Sequence, residues 1–333
     1  LISHRGPDDS GIWLNNDQTI GLGHRRLSII DLSTDGHQPM HALNRFVLVF
    51  NGEIYNYKEL KNQLLDKWSF SSKTDTEVII AAYAVYGPKC VELFRGMFAF
   101  ALWDKQNEIL FCARDHFGIK PFYYTTHNNT FSFASEAKAL FPCINNIEIN
   151  KKALNEYLNF QLPLGEDTLL NAIKSLLPAH TLTYSLQTSQ FTVNKFWDVS
   201  YDIDNTISEA DARETFKTLL NDSIDLHLNS DVPVGCYLSG GVDSTLISVL
   251  AAEQQHDVVN SFHGKFTEYP GYDESEYAQS AADSAKQQLN ILNIKSSDFL
   301  VNIKNVIYHL DFPVAGPGSF PQYMISEFAS QHV

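Results

Sequence analysis

The sequence predicts two domains of different fold class, an α+β sandwich followed by an α/β domain with a parallel sheet. Three observations support this. Residues 1–150 contain short apolar or alternating runs separated by turn residues, which is typical of paired strands. From residue 208 onward, helical patterns alternate with short apolar strands, as in parallel sheets. A chain of 333 residues, 44% of them hydrophobic, is long enough to bury both cores.

The first domain is predicted from a series of strands around a helix. "RFVLVFNGE" (45–53) indicates a strand that meets an Asn-Gly turn, and residues 97–115 indicate a hairpin. Residues 76–86 predict a helix that ends at Gly87-Pro88. This domain is completed by a strand before Ser135 and, within 151–200, by a short helix and a second hairpin. We therefore predict domains at 1–200 and 206–333.

The second domain is predicted to begin with a helix over 209–228, capped at Ser208. A strand at 233–238 and a helix at 244–255 enclose the loop "SGGVDS". Further strands at 258–266 and 290–294 alternate with helices at 275–288, at 298–310 and from 321. A loop between a strand and a helix directs its backbone N–H groups toward one point, so it is predicted to bind phosphate. The alternative is a plain turn in which Ser244 caps the helix.

Charge and cysteine content exclude several classes of function. The formal net charge of −15 and the pI of about 5.1 argue against nucleic acid as a partner. The cysteines (Cys90, Cys112, Cys143 and Cys236) lack the spacing of metal or disulfide clusters, so we expect them to be reduced. No apolar run reaches the roughly 20 residues of a membrane span, and no signal peptide is visible at Leu1. These features predict a cytoplasmic protein with no membrane partner.

The "SGGVDS" loop differs from a Walker A loop because it has no lysine. Ser239 and Ser244 can donate hydroxyl groups, and Gly240 and Gly241 allow the backbone to approach a ligand closely. Asp243 would repel an anion unless a cation lies between them, so the loop predicts Mg²⁺ held by this carboxylate. Such a set of groups suits pyrophosphate as a leaving group.

Motifs along nearly the whole chain resemble one family. "SGGVDS" resembles the PP-loop of ATP pyrophosphatases. "HRGPD" (4–8), "RLSIID" (26–31), "NGEIYN" (51–56), "RGMFAFALWD" (95–104), "RDHFGIKPFYY" (114–124) and "SEAKAL" (135–140) resemble a class II glutamine amidotransferase domain. Their order, together with "SDVPVGCYLSGGVDS" (230–244) and "YDESEYA" (272–278), is similar to that of glutamine-hydrolysing asparagine synthetases. The resemblance implies an Ntn-type αββα sandwich and a PP-loop domain.

The resemblance also implies a glutamine site in the first domain. Arg26 would pair with the α-carboxylate of glutamine and Asp75 with its α-ammonium. Asn51 and the Gly52 N–H would stabilise the oxyanion formed during amide hydrolysis. Taken singly, these residues have other interpretations: a turn at 51–52, a surface charge at Arg26, and a helix N-cap at Asp75. The remaining implied glutamine-binding residues are Leu27, Ser28, Ile29, Ile30 and Glu53.

For the second domain, the resemblance implies ATP, Mg²⁺ and aspartate as ligands. The aspartate β-carboxylate would attack the α-phosphate to give β-aspartyl-AMP, and ammonia channelled from the first domain would convert it to asparagine. Asp311 would help Asp243 to hold the metal; the alternative is a surface acid at the C-terminal end of a helix. Gly264, where the family usually has a larger apolar residue, would contact adenine. The implied nucleotide-binding residues are Leu238, Ser239, Gly240, Gly241, Val242, Asp243, Ser244 and Gly264.

The motif at 114–120 also matches the family, and we interpret it as structural. Arg114 and Asp115 are predicted to form a buried ion pair, with a turn at Gly118. The pair and the turn would together lock the sandwich.

The sequence departs from the family at its ends. The family's nucleophile is an N-terminal cysteine whose own amine acts as general base, whereas residue 1 here is Leu. We therefore expect a fragment, truncated at both ends and inactive as it stands. The alternatives are an amidotransferase for another carboxylate, or a non-catalytic protein that binds ATP or glutamine. A homodimer also remains open.

Overall fold

A computed structural model describes residues 1–255, 258–268, 270–314 and 316–333. The chain divides into two compact units, Leu1–Tyr201 and Asp202–Val333. Within the described ranges, every helix is too short or too polar to span a lipid bilayer.

The first unit contains eleven strands and three α-helices among its described residues. The strands are β1 (Asp9–Leu14), β2 (Gly21–Arg26), β3 (Met40–Ala42), β4 (Phe46–Ile54), β5 (Gly96–Asp104), β6 (Ile109–Arg114), β7 (Tyr123–His127), β8 (Thr130–Ala134), β9 (Lys174–Ser175), β10 (His180–Ser185) and β11 (Gln190–Lys195). The helices are α1 (Tyr57–Leu64), α2 (Asp75–Tyr86) and α3 (Lys151–Phe160).

A six-stranded antiparallel sheet, in the order β11-β10-β6-β5-β4-β3, forms the centre of this unit. Because successive strand residues face opposite sides, β4 contributes to two cores. Phe46, Leu48 and Phe50 pack with α1 and α2. Val47 and Val49 pack in the other core, which includes residues of the small sheet β8-β7-β9. The short 3₁₀ helix Ala137–Cys143 contacts β7 and β8.

Helix α2 lies against the central sheet and is almost entirely apolar beyond its first turn. Thr74 is its N-cap, with the hydroxyl accepting a hydrogen bond from the Glu77 N–H. Gly87, with φ of 61°, ends the helix. The predicted helix is confirmed and begins one residue earlier, at Asp75. The interpretation of Asp75 as the N-cap is therefore wrong.

Arg114 and Asp115 lock the sandwich, but through backbone groups. The Arg114 guanidinium donates to the carbonyl oxygens of Gly118 at 2.7 Å and Lys120 at 2.8 Å. The Asp115 carboxylate, 1% exposed, accepts from the N–H groups of Phe98, Phe117, Ile119 and Lys120 at 2.9–3.2 Å. Each charge is thus satisfied by main-chain dipoles of the 117–120 loop and its surroundings, which replaces the predicted ion pair.

Among its described residues, the second unit has a three-stranded parallel sheet with helices. Its order is β12-β13-β14, and β13 pairs with both neighbours in parallel, as predicted. The predicted helix over 275–288 is shorter, because the chain enters the last strand at Gln288. The elements are α4 (Glu209–His227), β12 (Gly235–Tyr237), α5 (Val242–Gln254), β13 (Asn260–Lys265), α6 (Ser275–Ser284), β14 (Gln288–Asn293), α7 (Ser296–Leu310) and α8 (Ser319–Ala329). The predicted fold class is confirmed in both units.

We expect Asp115→Ala to destabilise the first unit by about 3 kcal/mol or more, because it leaves several buried N–H groups without an acceptor. The measurement is urea unfolding followed by tryptophan fluorescence, since all four tryptophans (Trp13, Trp68, Trp103 and Trp197) lie in this unit. The exposed Asp17→Ala serves as control. Equal unfolding midpoints for the two variants would contradict the role assigned to Asp115.

Candidate functional site

A cavity of about 230 Å³ opens in the first unit. It lies where the ends of β2 and β4 meet the N-terminus of α2. The structure brings most of the predicted glutamine-site residues to it. Ser28 is an exception: it is absent from the lining, and its backbone N–H donates to Asp8 Oδ2 at 2.7 Å. The predicted residues that line the cavity are Arg26, Leu27, Ile29, Ile30, Asn51, Gly52, Glu53 and Asp75.

Gly52 lies inside β4, opposite Phe98 of β5, so the alternative of an Asn-Gly turn is wrong. Its φ of 148° lies in a region that favours glycine. A Cβ atom at this position would come within 2.0 Å of the Met97 carbonyl oxygen. Only glycine can therefore occupy this position while β4 and β5 remain paired.

The outer edge of β4 points its backbone groups toward the cavity. The N–H groups of Phe50 and Ile54 donate to the side chains of Gln38 and Asp75, at 2.7 and 3.0 Å. Gly52 lies midway between them, two residues from each along the strand. Its N–H is therefore also directed away from β5 and toward the cavity. Asn51 Nδ2 is buried, with no hydrogen-bond partner among the described residues. A backbone donor and a side-chain donor thus lie side by side at the cavity.

Arg26 is 7% exposed, so its interpretation as a surface charge is wrong. Its Nη1 donates to the Ser33 carbonyl oxygen at 2.9 Å, and its Nη2 to the Asp31 carbonyl oxygen at 2.5 Å. These bonds use part of the guanidinium's donor capacity and hold it in a fixed orientation. The result is a positive charge fixed in the wall of the cavity.

Asp75 provides a carboxylate in the same cavity. It is 5% exposed, and burial raises the pKa of its carboxyl group to about 7, with the nearby Glu53 charge adding to the rise. The hydrogen bond from the Ile54 N–H acts in the opposite direction on this pKa. A cationic group of a ligand beside Asp75 would favour the ionised form.

Sequence reasoning missed several residues that line this cavity, and His24, Gln38 and Lys120 are among them. Burial lowers the pKa of Lys120, and the Glu53 charge opposes that shift. The sequence does carry a signal that places His24 near this cavity. Residues two apart in a strand share a face, so His24 lies on the same face of β2 as Arg26. Gln38 and Lys120 reach the cavity through loop packing, for which the sequence carries no periodic signal.

None of the four cysteines lines the cavity. Cys90 and Cys112 are buried in the cores of the first unit, and burial raises the pKa of each thiol well above its ordinary value. Cys143 is exposed, and Cys236 lies on β12 in the second unit. The described residues of the cavity therefore offer charges and hydrogen-bond donors, but no thiol.

The second unit has a cavity of about 420 Å³ at the carboxyl ends of β12 and β13, where α/β sheets bind ligands. Leu238, Ser239 and Gly264 of the predicted nucleotide site line it. A Cβ atom on Gly264 would lie 2.8 Å from Ile325 Cδ1, so neighbouring side chains already fill the space of a larger residue. The other predicted loop residues do not line this cavity; they are Gly240, Gly241, Val242, Asp243 and Ser244.

The "SGGVDS" loop is held by its own hydroxyl groups. Ser239 Oγ lies 2.8 Å from Ser244 Oγ and accepts from the Gly241 N–H at 3.3 Å. Gly240 has φ of 91°, and a Cβ there would meet the Glu274 carbonyl oxygen at 3.0 Å. The loop therefore packs closely on the start of α6. The N-cap of α5 is Gly241, so the interpretation of Ser244 as a helix cap is wrong.

The two predicted metal ligands occupy helix ends. Asp243 is exposed in the first turn of α5, and Asp311 follows the last residue of α7 with φ of 66°. Across the described ranges of the chain, no group of three or more histidine, cysteine or acidic residues could hold a metal ion. An exposed carboxylate beside a loop that is predicted to bind phosphate still suits Mg²⁺. This ion is usually coordinated by one or two carboxylates together with phosphate oxygens and water.

Comparison with known proteins covers both units. A family model described as a glutamine amidotransferase domain matches residues 1–197, and one described as asparagine synthase matches residues 215–333. Glutamine-hydrolysing asparagine synthetase 1 of Bacillus subtilis is 36% identical, over 100% of this chain and 52% of its own length. Putative glutamine-hydrolysing asparagine synthetase 2 of Methanocaldococcus jannaschii is 37% identical, over 100% and 68%.

A relative with a different name is Amidase chry2 of Gibberella zeae. It is 31% identical, over 94% of this chain and 49% of its own length. Measured against these three relatives, the chain spans 49–68% of their lengths.

The raised pKa of Asp75 makes folding stability depend on pH. The folded state keeps the proton up to about pH 7, whereas the unfolded chain loses it near 3.8. This contribution to stability is therefore complete below pH 3.8 and is lost as the pH rises through 7. The amide in Asp75→Asn does not ionise, so this variant keeps the contribution at every pH. Its free energy of unfolding, compared with that of wild type, should therefore rise by about 1–4 kcal/mol between pH 4 and pH 8.

Urea unfolding followed by tryptophan fluorescence at several pH values measures this difference. Asp17→Asn, at an exposed position, is the matched control. A constant difference in stability between Asp75→Asn and wild type across the range would show that Asp75 titrates normally.

Proposed function

Because this chain belongs to the family of glutamine-hydrolysing asparagine synthetases, we propose that its first unit binds glutamine for hydrolysis of the side-chain amide. We further propose that its second unit uses ATP to activate aspartate. The family resemblance inferred from the motifs is thereby confirmed.

The observation that carries the proposal is the set of charges and donors in the 230 Å³ cavity. Free glutamine has a carboxylate, an ammonium group and a carboxamide. Arg26 is the partner for the carboxylate, and Asp75 is the partner for the ammonium group. Asn51 Nδ2 and the Gly52 N–H are the donors for the amide oxygen. A buried amide donor without a protein partner is costly, and a ligand oxygen would satisfy it.

The two donors would contribute more to the transition state than to the bound substrate. As the amide carbon becomes tetrahedral, negative charge develops on its oxygen, and fixed donors stabilise that charge without reorganising. Gly52 is held by its pairing with β5, so its N–H is already in place. The cavity contains no cysteine, so we assign substrate binding and oxyanion stabilisation to these residues and no nucleophilic role.

In the second unit, we propose that the 420 Å³ cavity and the "SGGVDS" loop bind ATP. Ser239 and Ser244 would hold the pyrophosphate that leaves when the aspartate β-carboxylate attacks the α-phosphate. Asp243, with Asp311 as a second candidate, would hold Mg²⁺, which neutralises phosphate charge when bound. Ammonia from glutamine would then displace AMP and give asparagine. We also propose a cytoplasmic location.

A second candidate is an amidotransferase that acts on another carboxylate. It is motivated by a relative at 31% identity whose name, amidase, refers to amide chemistry without mention of asparagine. ATP–pyrophosphate exchange separates the two candidates: exchange stimulated by aspartate favours the first, and exchange stimulated only by a different carboxylic acid favours the second.

Glutamine binding tests the first unit directly. We expect this chain to bind L-glutamine in isothermal titration calorimetry, and Asp75→Asn to weaken binding at least about tenfold, because the ammonium group loses its counter-charge. Binding by wild type should also weaken as the pH falls below about 7, where Asp75 takes up a proton. The control Asp17→Asn should bind like wild type. Failure of the wild-type chain to bind glutamine would contradict the proposal.

The dependence of ATP binding on Mg²⁺ tests Asp243. We expect Mg²⁺ to strengthen ATP binding by wild type and to have at least about tenfold less effect on Asp243→Asn. Without Mg²⁺ the variant should bind ATP at least as tightly as wild type, because the repulsion between carboxylate and phosphate is gone. The exposed Asp283→Asn is the control. The same response to Mg²⁺ in both variants would show that Asp243 is not a metal ligand.

A further inference from the structure

His24 lies on β2 and lines the 230 Å³ cavity together with Asn51 and Gly52. Its Nε2 atom lies 2.9 Å from the carbonyl oxygen of Phe50, the residue just before Asn51. A carbonyl oxygen only accepts hydrogen bonds, so Nε2 must carry the proton. In the neutral ring, Nδ1 therefore has a lone pair and can only accept.

The ring is neutral over the physiological range. Burial lowers the pKa of His24 to about 4, and the charge of Arg26 acts in the same direction. The bond to Phe50 O and the charge of Asp9 oppose that shift without cancelling it. Nδ1 is buried and has no hydrogen-bond partner among the described residues. His24, which lines the cavity, thus has one acceptor that no described protein group satisfies.

Three groups at this cavity form a complementary set. Asn51 Nδ2 and the Gly52 N–H are donors, and His24 Nδ1 is an acceptor. His24 is bonded to Phe50, the residue just before Asn51, so its ring lies beside the segment of β4 that carries these donors. A carboxamide offers one acceptor oxygen and one donor NH₂ group, which matches this set.

We propose that His24 is a specificity-determining residue that accepts a hydrogen bond from the NH₂ group of the glutamine side chain. The proposal rests on the glutamine site proposed above and adds a rule of selection. The side chain of glutamate has no NH₂ group, so its γ-carboxylate would place a lone pair against that of Nδ1. His24 would therefore favour the amide substrate and reject the acid product, since a site that binds an N–H discriminates strongly against analogues that lack it.

The experiment compares L-glutamine with the γ-methyl ester of L-glutamate by calorimetry on this chain. The ester keeps the carbonyl oxygen and the neutral charge but has no N–H to donate. We expect wild type to bind glutamine at least about tenfold more tightly than the ester. His24→Leu should lose most of this preference through weaker glutamine binding. The control His41→Leu, at an exposed histidine of β3 outside the cavity, should keep it.

Equal affinity of wild type for glutamine and the ester would overturn the inference, and this comparison needs no variant. Retention of the full preference by a folded His24→Leu, as judged by circular dichroism, would overturn it as well. If wild type binds neither ligand, the proposed glutamine site itself is wrong. Binding of glutamine without discrimination leaves the proposed function standing and removes only the role of His24.

Discussion

The nine-residue antiparallel pairing of β4 with β5 is the constraint on which the first unit depends. It buries an unbroken apolar run at the centre of the sheet and divides those side chains between two cores. The same pairing carries β4 past the end of β3, so the last backbone groups of β4 face a cavity instead of another strand. Side chains from three other segments satisfy or approach that edge. The candidate site is thus a consequence of unequal strand lengths.

Electrostatics in this cavity depend on main-chain dipoles. The positive charge of Arg26 is held by carbonyl oxygens, and the carboxyl group of Asp75 receives a backbone N–H. Neither charge is neutralised by the other's side chain, so both remain available to a zwitterionic ligand. This arrangement is costly in the empty cavity, as the raised pKa of Asp75 shows. The charges of a bound ligand would offset the free-energy cost of burying these two side chains, so their burial favours binding of a ligand that carries both charges.

Much of the fold could be predicted because it depends on local patterns. The apolar run at 46–50, the capped helix ending at Gly87 and the hairpin of β5 and β6 all carry their signals within a few residues. The convergence of Arg26, Asn51 and Asp75 was expected only through the family motifs, and their chemical roles remain predictions. The partners of Arg114 and Asp115, the self-bonded serines of the loop, and the contribution of His24 and Gln38 arise from packing between distant segments, which no local pattern records.

The way Arg114 and Asp115 hold the 117–120 loop has a consequence for sequence variation. Both side chains bind carbonyl or N–H groups of that loop, which every amino acid supplies, apart from the N–H that proline lacks. The side chains of Phe117 and Ile119 are 68% and 59% exposed. Substitutions at these two positions would leave the bonds to Arg114 and Asp115 in place. The same backbone frame can thus carry different side chains at its surface without loss of the architecture.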